Sequence, residues 1–419
     1  MNKMNNYVFI LGRQPYLSTA EIAAFLERLN CVFQLKVFSK EALLVEVEEE
    51  LDTKLFSQLG GTIKVVKLLS PVRKDNFGPE FDTFLNKTKL TTNNRENKKI
   101  HFGLSFYALS GKGKVFKFFR KWVKTLNKQI KDHLTANNLR SAFVQNKTPV
   151  LSSVSVAKNK LLTDGFELVF FLSEEDILIG KTIWVQDFTD FGFRDYGRPQ
   201  RDDRVGMLPP KLARLMINLA RFKKSDNLLD PFCGSGTILT EAVLLGLKNL
   251  AASDYQPAAI KRTQANLAWL LENYPQLTAS QLNLKTFTTD IKQLPVVLTG
   301  QTVDLIVTEP DLGSPMVRKF NKVVLNKEIE RLEQLYIDFF QAARQILSPK
   351  GKVVIVLPVY LIKGRLIGVN ITEEITKIGF RKVALLKGTE NIKGELKDDF
   401  IYRLIGQFVG RQIFVFKKS

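Results

Sequence analysis

The sequence predicts an α/β C-terminal half preceded by a separate α+β half, and three observations carry that prediction. Short apolar runs alternate with amphipathic helical patterns from residue 208 onward, the signature of strands and helices taken in turn. One strand-to-helix junction, Asn227-Leu228-Leu229-Asp230-Pro231-Phe232-Cys233-Gly234-Ser235-Gly236-Thr237, is a glycine-rich turn of the kind that lets a ligand approach the backbone. The chain is 419 residues long, 45% hydrophobic and 25% charged, enough for two or three globular domains.

Taken in order, Tyr7 to Leu11 predicts a strand. Ser18 with Glu21 three residues on has the form of a capping box, opening a helix whose apolar face is Ile22, Phe25, Leu26 and Leu29. Val32 to Phe38, Leu43 to Val47 and Ile63 to Leu69 predict further strands. Residues 72–99 are rich in Asn, Thr and Lys and predict a long exposed loop. A strand over Phe102 to Ala108 follows, then a basic stretch carrying Lys112, Lys114, Lys117, Arg120, Lys121, Lys124, Lys128 and Lys131. Its interleaved aromatics, Phe118, Phe119 and Trp122, fit the buried side of a helix. The cations fit either a solvated face or phosphate contacts, and the scarcity of acids among them favours phosphate. Leu151 to Val156, Glu167 to Leu172 and Ile177 to Val185 complete this half as strands.

Residues 186–207 carry few apolar side chains and predict a linker. Beyond it Pro210 opens a helix in which Leu212, Leu215, Met216 and Leu219 share one face. The expected division is therefore 1–70, an N-terminal ferredoxin-like α+β module; 71–185, an RNA-binding unit; 186–207, a linker; and 208–419, the catalytic domain.

A formal net charge of +20 and a pI near 9.7 predict a surface that attracts polyanions. No apolar run is long enough to span a bilayer, and no signal peptide is visible in the sequence. Cys31 and Cys233 are far apart, which argues against a disulfide and for a reducing cytoplasmic setting. With His101 and His133 the only histidines, neither a zinc site nor histidine-based catalysis finds support, and no metal is expected.

The glycine turn lacks the Lys-Ser/Thr of a P-loop, and Leu239 stands where a dinucleotide fingerprint needs its third glycine. Downstream, Leu250 to Asp254 ends a strand on a carboxylate placed to accept ribose hydroxyls, a position equally open to a helix cap. Asp290 follows another strand, either as a ligand contact or as an ordinary turn residue. Val303 to Thr308 is a fourth strand running into Glu309-Pro310-Asp311-Leu312-Gly313 at its carboxyl end. Ile329 to Ile346, Lys352 to Leu357 and Ile371 to Ile378 predict helix, strand and helix. Arg381 to Leu386 and Gln412 to Phe416 predict the last two strands, joined through a polar connection over 388–399.

Asp-Pro-Phe-x-Gly-x-Gly-Thr resembles the first motif of class I S-adenosylmethionine (AdoMet) methyltransferases. The Arg-rich connector with its Lys211-Leu-Ala-Arg214 helix, and the tail Tyr402-Arg403 and Val409-Gly-Arg-Gln-Ile413, are similar to the THUMP-containing tRNA (guanine-N2) methyltransferases. Tyr7 to Gly12, Leu17 to Ile22 and Gly60-Gly61-Thr62 resemble that family's N-terminal modules, which makes 71–185 a THUMP-like unit. The resemblance implies a Rossmann-like, seven-stranded sheet with an antiparallel last strand. It implies that Asp230, Pro231, Phe232, Cys233, Gly234, Ser235, Gly236 and Thr237 wrap the methionine end of AdoMet, with Asp254 on the ribose and Asp290 beside the adenine. Glu309, Pro310 and Asp311 stand where that family holds an exocyclic amine, usually with Asp/Asn-Pro-Pro-aromatic. Asp311 and Leu312 replace the second proline and the stacking aromatic. The implied activity is methylation of guanosine N2 in tRNA, with Lys112, Lys114, Lys117, Arg120, Lys121 and Lys124 gripping RNA. The departure at 309–312 leaves two alternatives: an amino-methyltransferase for ribosomal RNA or DNA adenine, and a non-catalytic RNA-binding protein with a vestigial cofactor fold.

Overall fold

The structure is a computed structural model that describes residues 4–90, 99–109, 115–201, 207–313, 322–386, 389, 392–397, 400–404 and 406–419. In its N-terminal half the elements run β1 (Asn5–Leu11), α1 (Pro15–Arg28), β2 (Phe33–Phe38), β3 (Ala42–Val47), β4 (Thr62–Arg73), α2 (Phe77–Lys87), β5 (Ile100–Ala108), α3 (Val115–Ala136), β6 (Ser141–Phe143), α4 (Ser153–Lys158), β7 (Gly165–Leu172) and β8 (Asp176–Val185). All eight strands join one sheet in the order β2-β3-β1-β4-β8-β7-β5-β6. Side chains alternate across it: Tyr7, Phe9 and Leu11 enter the core under α1, while Val8 and Ile10 enter the core on the opposite face. The expected boundary at residue 70 falls inside β4, which pairs with β1 on one side and β8 on the other.

Three local expectations are corrected. The helix expected to start at Ser18 begins a turn earlier at Pro15, and Ser18 and Glu21 lie inside it facing the Gly60-Gly61 turn. The stretch 72–99, expected as loop, contains α2, because Phe77, Phe81, Phe84 and Leu85 form a helical stripe and bury it. Strand character was expected over 151–156. There the Ser152 hydroxyl instead accepts the Ser155 amide and caps α4.

The linker also holds a helix, α5 (Phe188–Tyr196), before α6 (Pro210–Leu219). Phe191, Arg194 and Arg198 are buried, so this segment is docked rather than solvated. Arg194 and Arg214 both donate to Glu241, at 2.6 and 2.7 Å.

The C-terminal half runs β9 (Asn227–Asp230), α7 (Thr237–Leu244), β10 (Asn249–Asp254), α8 (Pro257–Asn273), β11 (Asn283–Thr288), α9 (Leu294–Val297), β12 (Val303–Thr308), α10 (Lys322–Ile346), β13 (Leu347–Ile362), β14 (Arg365–Gly368), α11 (Thr372–Ile378), β15 (Phe380–Lys382), β16 (Ile401–Tyr402) and β17 (Val409–Lys418). Its sheet has the order β11-β10-β9-β12-β13-β17-β15, with β14 beside β13 and β16 beside β17. The strands from β11 to β13 are parallel, and β17 is antiparallel to both of its neighbours on that path. This is the seven-stranded Rossmann-like arrangement with an antiparallel last strand. The sheet is covered on both faces, which explains its nearly unbroken apolar strands. Leu305, Val307, Val354 and Val356 meet α6, α7 and α8, whereas Ile306, Val353 and Ile355 meet α10 and α11. Chain order reverses direction between β9 and β12, the kind of switch point at whose carboxyl ends open α/β sheets bind ligands.

The two halves are packed together through α1 and α6. Leu17, Ala20 and Ala24 of α1 join the core of the C-terminal half, while Ile22, Phe25 and Leu26 serve the core of their own. At the seam Glu21 is fully buried and accepts from the Gly60 and Gly61 amides and from Asn218 Nδ2, at 2.7, 2.7 and 2.8 Å. Burial raises its carboxyl above the usual range against those hydrogen bonds. A second seam comes from the segment expected as a polar connection. Lys393 exchanges backbone hydrogen bonds with Lys36 and Phe38 on the edge strand β2, at 2.9 and 2.8 Å. Ile392 and Leu396 pack on the N-terminal core beside it. Gly394 has φ +117, and a Cβ there would lie 2.1 Å from the Phe38 carbonyl oxygen. Among the described residues no helix is long and apolar enough to cross a membrane.

Candidate active site

The glycine turn lies where β9 passes into α7. Asp230, the last residue of β9, is buried and accepts the Thr308 hydroxyl at 2.7 Å from the end of β12. Burial pushes its carboxyl up to about 7, and the negative charges of Asp254 and Glu309 add to the effect. Three carboxylates from the ends of β9, β10 and β12 thus influence one another at one edge of the sheet. Pro231 and Phe232 carry the chain outward, with Phe232 against Phe339 of α10. The Cys233 amide donates to the Ser253 carbonyl, and its buried thiol is pushed above the usual range, first by burial and then by Asp230.

Gly234 and Gly236 both have positive φ, +55 and +79. A Cβ on Gly234 would meet nothing within 4 Å, so this side of the turn is open, whereas one on Gly236 would press on Thr263. Ser235 offers its carbonyl to Asn266 Nδ2 at 2.8 Å. Thr237 begins α7 and accepts from the buried Arg198 guanidinium. Asp254 accepts the Gly234 amide at 3.1 Å and the Gln256 amide at 3.0 Å, so the acid opens the turn into α8 and also braces the glycine turn. Asp290 is exposed and caps the short helical turn Ile291–Gln293 by accepting from Lys292.

The loop after β12 is held by both flanks. Glu309 is gripped bidentately by Arg411 of β17, at 2.6 Å from Nε to Oε2 and 3.1 Å from Nη2 to Oε1. Pro310 is buried behind it. Asp311 is exposed, accepting from Arg331 at 2.6 Å, and its carbonyl accepts the Tyr336 hydroxyl at 2.6 Å. Tyr360 donates to the Leu312 carbonyl at 2.9 Å. The structure therefore brings Asp230 to Thr237, Asp254, Glu309 and Pro310 to one edge, and turns the Asp311 carboxylate toward Arg331.

Sequence reasoning missed Arg411, Arg198, Asn266 and Thr308 as parts of this edge. Arg411 breaks the inward row Ile413, Val415, and Asn266 breaks the buried face of α8; a polar residue in a core row is the signal available. Asn266 also binds the backbone of Gln200, at 3.0 and 2.9 Å, tying the linker to the turn.

The expected RNA contacts sit elsewhere. On α3, Lys117, Arg120, Lys121 and Lys124 are exposed, while Phe119, Leu126, Ile130 and Leu134 are buried. Lys112 and Lys114 lie outside the described residues.

Residues 198–376 match the family described as UPF0020, RMKL-like, methyltransferase domain. Curated relatives include the tRNA (guanine(10)-N2)-dimethyltransferase of Methanothermobacter thermautotrophicus, 32% identical over 37% of this chain and 40% of the relative. Another is the probable tRNA (guanine(10)-N2)-dimethyltransferase of Methanothermococcus thermolithotrophicus, 40% identical over 26% of this chain and 65% of the relative. The chain thus spans less than two thirds of the length of these relatives. In fold, it resembles TrmN from Thermus thermophilus over 100% of both chains, with TM-score 0.54 at 15% identity. A possible methylase from Clostridium difficile 630 gives TM-score 0.52 at 12% identity, covering 100% of this chain and 99% of that one. The strand order and the glycine turn agree with the match of residues 198–376 to a methyltransferase-domain family of the RMKL-like type, a match that spans less than half of this chain.

Proposed function

We propose that the protein is an AdoMet-dependent RNA methyltransferase acting on the exocyclic N2 of a guanosine in tRNA, in the cytoplasm. The observation that carries this reading is the gathering of Asp230, Asp254 and Glu309 around an open glycine turn, within a domain related to tRNA (guanine(10)-N2)-dimethyltransferases. AdoMet supplies an electrophilic methyl group on a sulfonium. Gly234 and Ser235 would border its methionine end, and the Asp254 carboxylate would take the ribose hydroxyls. Glu309 and the Pro310 carbonyl would accept the two N–H bonds of the amine, whose lone pair is otherwise delocalised into the ring. The target base must leave its stack to reach them. The N-terminal half, read as a THUMP-like unit, would capture the RNA, and the exposed cations of α3 support that reading.

The test is incubation of the purified chain with labelled AdoMet and unmodified tRNA, followed by nucleoside mass spectrometry. N2-methylguanosine is expected. The loop Glu309-Pro310-Asp311-Leu312 favours a second reading, transfer to a different amine, and N6-methyladenosine in ribosomal RNA or DNA would establish it instead. An absence of both donor binding and transfer would leave an RNA-binding protein.

A further inference from the structure

We infer that Arg411 is a positioning residue for the methyl acceptor, acting through Glu309; this rests on the proposed reading of the 309–312 loop. A glutamate has a broad terminal torsion, so by itself it presents its carboxylate in many planes. Here that freedom is removed by a residue 102 positions away in sequence. β17 lies beyond β13 from β12, and Arg411 faces the same core as Ile413 and Val415. From there it reaches past β13 to the end of β12, where its fork closes on both oxygens at 2.6 and 3.1 Å. Both side chains are largely shielded from water, at 10% and 14% exposed, so the pair is neither solvated nor fully desolvated. Tyr402, the cross-strand partner of Arg411, is half-buried beside it.

A planar guanidinium is suited to this work, because its paired donors fix the plane of the group they bind, which a lysine ammonium does not. Each carboxylate oxygen has two lone pairs. Arg411 takes one on each, leaving one on each for N–H donors. In the transfer, the amine lone pair forms a bond to the methyl carbon as the carbon–sulfur bond breaks. The bonding pair stays on sulfur, which becomes a neutral thioether, and the new cationic nitrogen releases one proton to water. Neutralised by its guanidinium, Glu309 serves as the hydrogen-bond acceptor that aims the amine, and the base is solvent.

The experiment uses the full chain, labelled AdoMet and an unmodified tRNA transcript under single-turnover conditions, with R411A, R411K, E309A and the double variant E309A/R411A. Donor and RNA affinities should stay near wild type, while the transfer rate of R411A falls on the order of 100-fold through loss of orientation. R411K retains the charge and the buried stem yet should still lose roughly tenfold, since it lacks the fork. In the E309A background the R411A change should add nothing. Wild-type or faster transfer by R411K, or additive losses in the double variant, overturns the role. R411K decides the matter if R411A fails to fold. A wild-type chain that methylates no RNA sinks the reaction and this role together, whereas an active wild type with an equally active R411K sinks the role alone.

Discussion

Asp254 accepts the backbone N–H of Gly234 at 3.1 Å, so the tip of the second strand braces the turn that follows the first. The same carboxylate holds Gln256 at the start of α8. Of the two readings open in the sequence, the helix cap takes a modified form: Gln256 is the cap of α8, and Asp254 holds the Gln256 amide while bracing the turn that borders the proposed donor site. Asp254→Ala is expected to lower AdoMet affinity by about tenfold or more, the scale of a hydrogen bond to a charged group. Isothermal titration calorimetry checks it, and unchanged affinity would remove Asp254 from the donor site.

Asp230 gives a pH test. Burial, aided by Asp254 and Glu309, raises its carboxyl from 3.8 to about 7. Folding therefore takes up a proton between those values, and the stabilisation is complete below the lower one and lost as pH climbs through the upper one. Relative to Asp230→Asn, which has nothing to titrate there, the wild type should lose up to roughly 4 kcal/mol between about pH 4 and pH 7.5. Urea denaturation of both proteins across that range measures the difference, and parallel curves would contradict it.

Glu241 sits fully buried between the guanidiniums of Arg194 and Arg214. Glu241→Ala removes the common partner of both and should cost about 3–5 kcal/mol, loosening the linker from α7. Glu241→Gln keeps the acceptor oxygen and should cost less. Equal losses in the two variants would mean that charge is not what holds this junction.

On α3, replacing Lys117, Arg120 and Lys124 together by Ala should weaken tRNA binding and flatten its dependence on salt by roughly one counterion per lost contact. Filter binding over a salt series reads the slope. These side chains are exposed, so folding stability should hardly change, and an identical slope would make them ordinary surface.

Glu309→Ala should leave AdoMet binding intact and slow transfer by about 100-fold or more while leaving a measurable rate, separating the acceptor loop from the donor turn. Equilibrium binding and single-turnover rates on one preparation make the comparison, and normal turnover would remove Glu309 from the chemistry.

The C-terminal half was legible because its signals are local. Leu228-Leu229-Asp230 followed by two glycines with positive φ declares a strand, a turn and a helix within a dozen positions, and Asp254 follows at the next strand tip. What stayed hidden depends on partners distant in sequence. Ser18 and Glu21 have the spacing of a capping box, yet both reach the Gly60-Gly61 turn about forty residues away, which no local pattern encodes. Phe77, Phe81 and Phe84 were masked by the polar residues around them, so α2 read as loop. Arg411 looked like part of a terminal strand because its meaning lies in Glu309, across an intervening strand.

The backbone stitch between Lys393 and β2 bears on how this chain could be cut down or fused. A fragment beginning at residue 208 would bare the α6 surface that receives Leu17, Ala20 and Ala24, and would strand Ile392 and Leu396 in water. Such a piece would tend to self-associate rather than work alone. With seams at both α1 and the Gly394 crossing, the N-terminal half is tied to the C-terminal half at two separate places. If RNA binds along α3 as proposed, these two seams set how far it lies from the glycine turn.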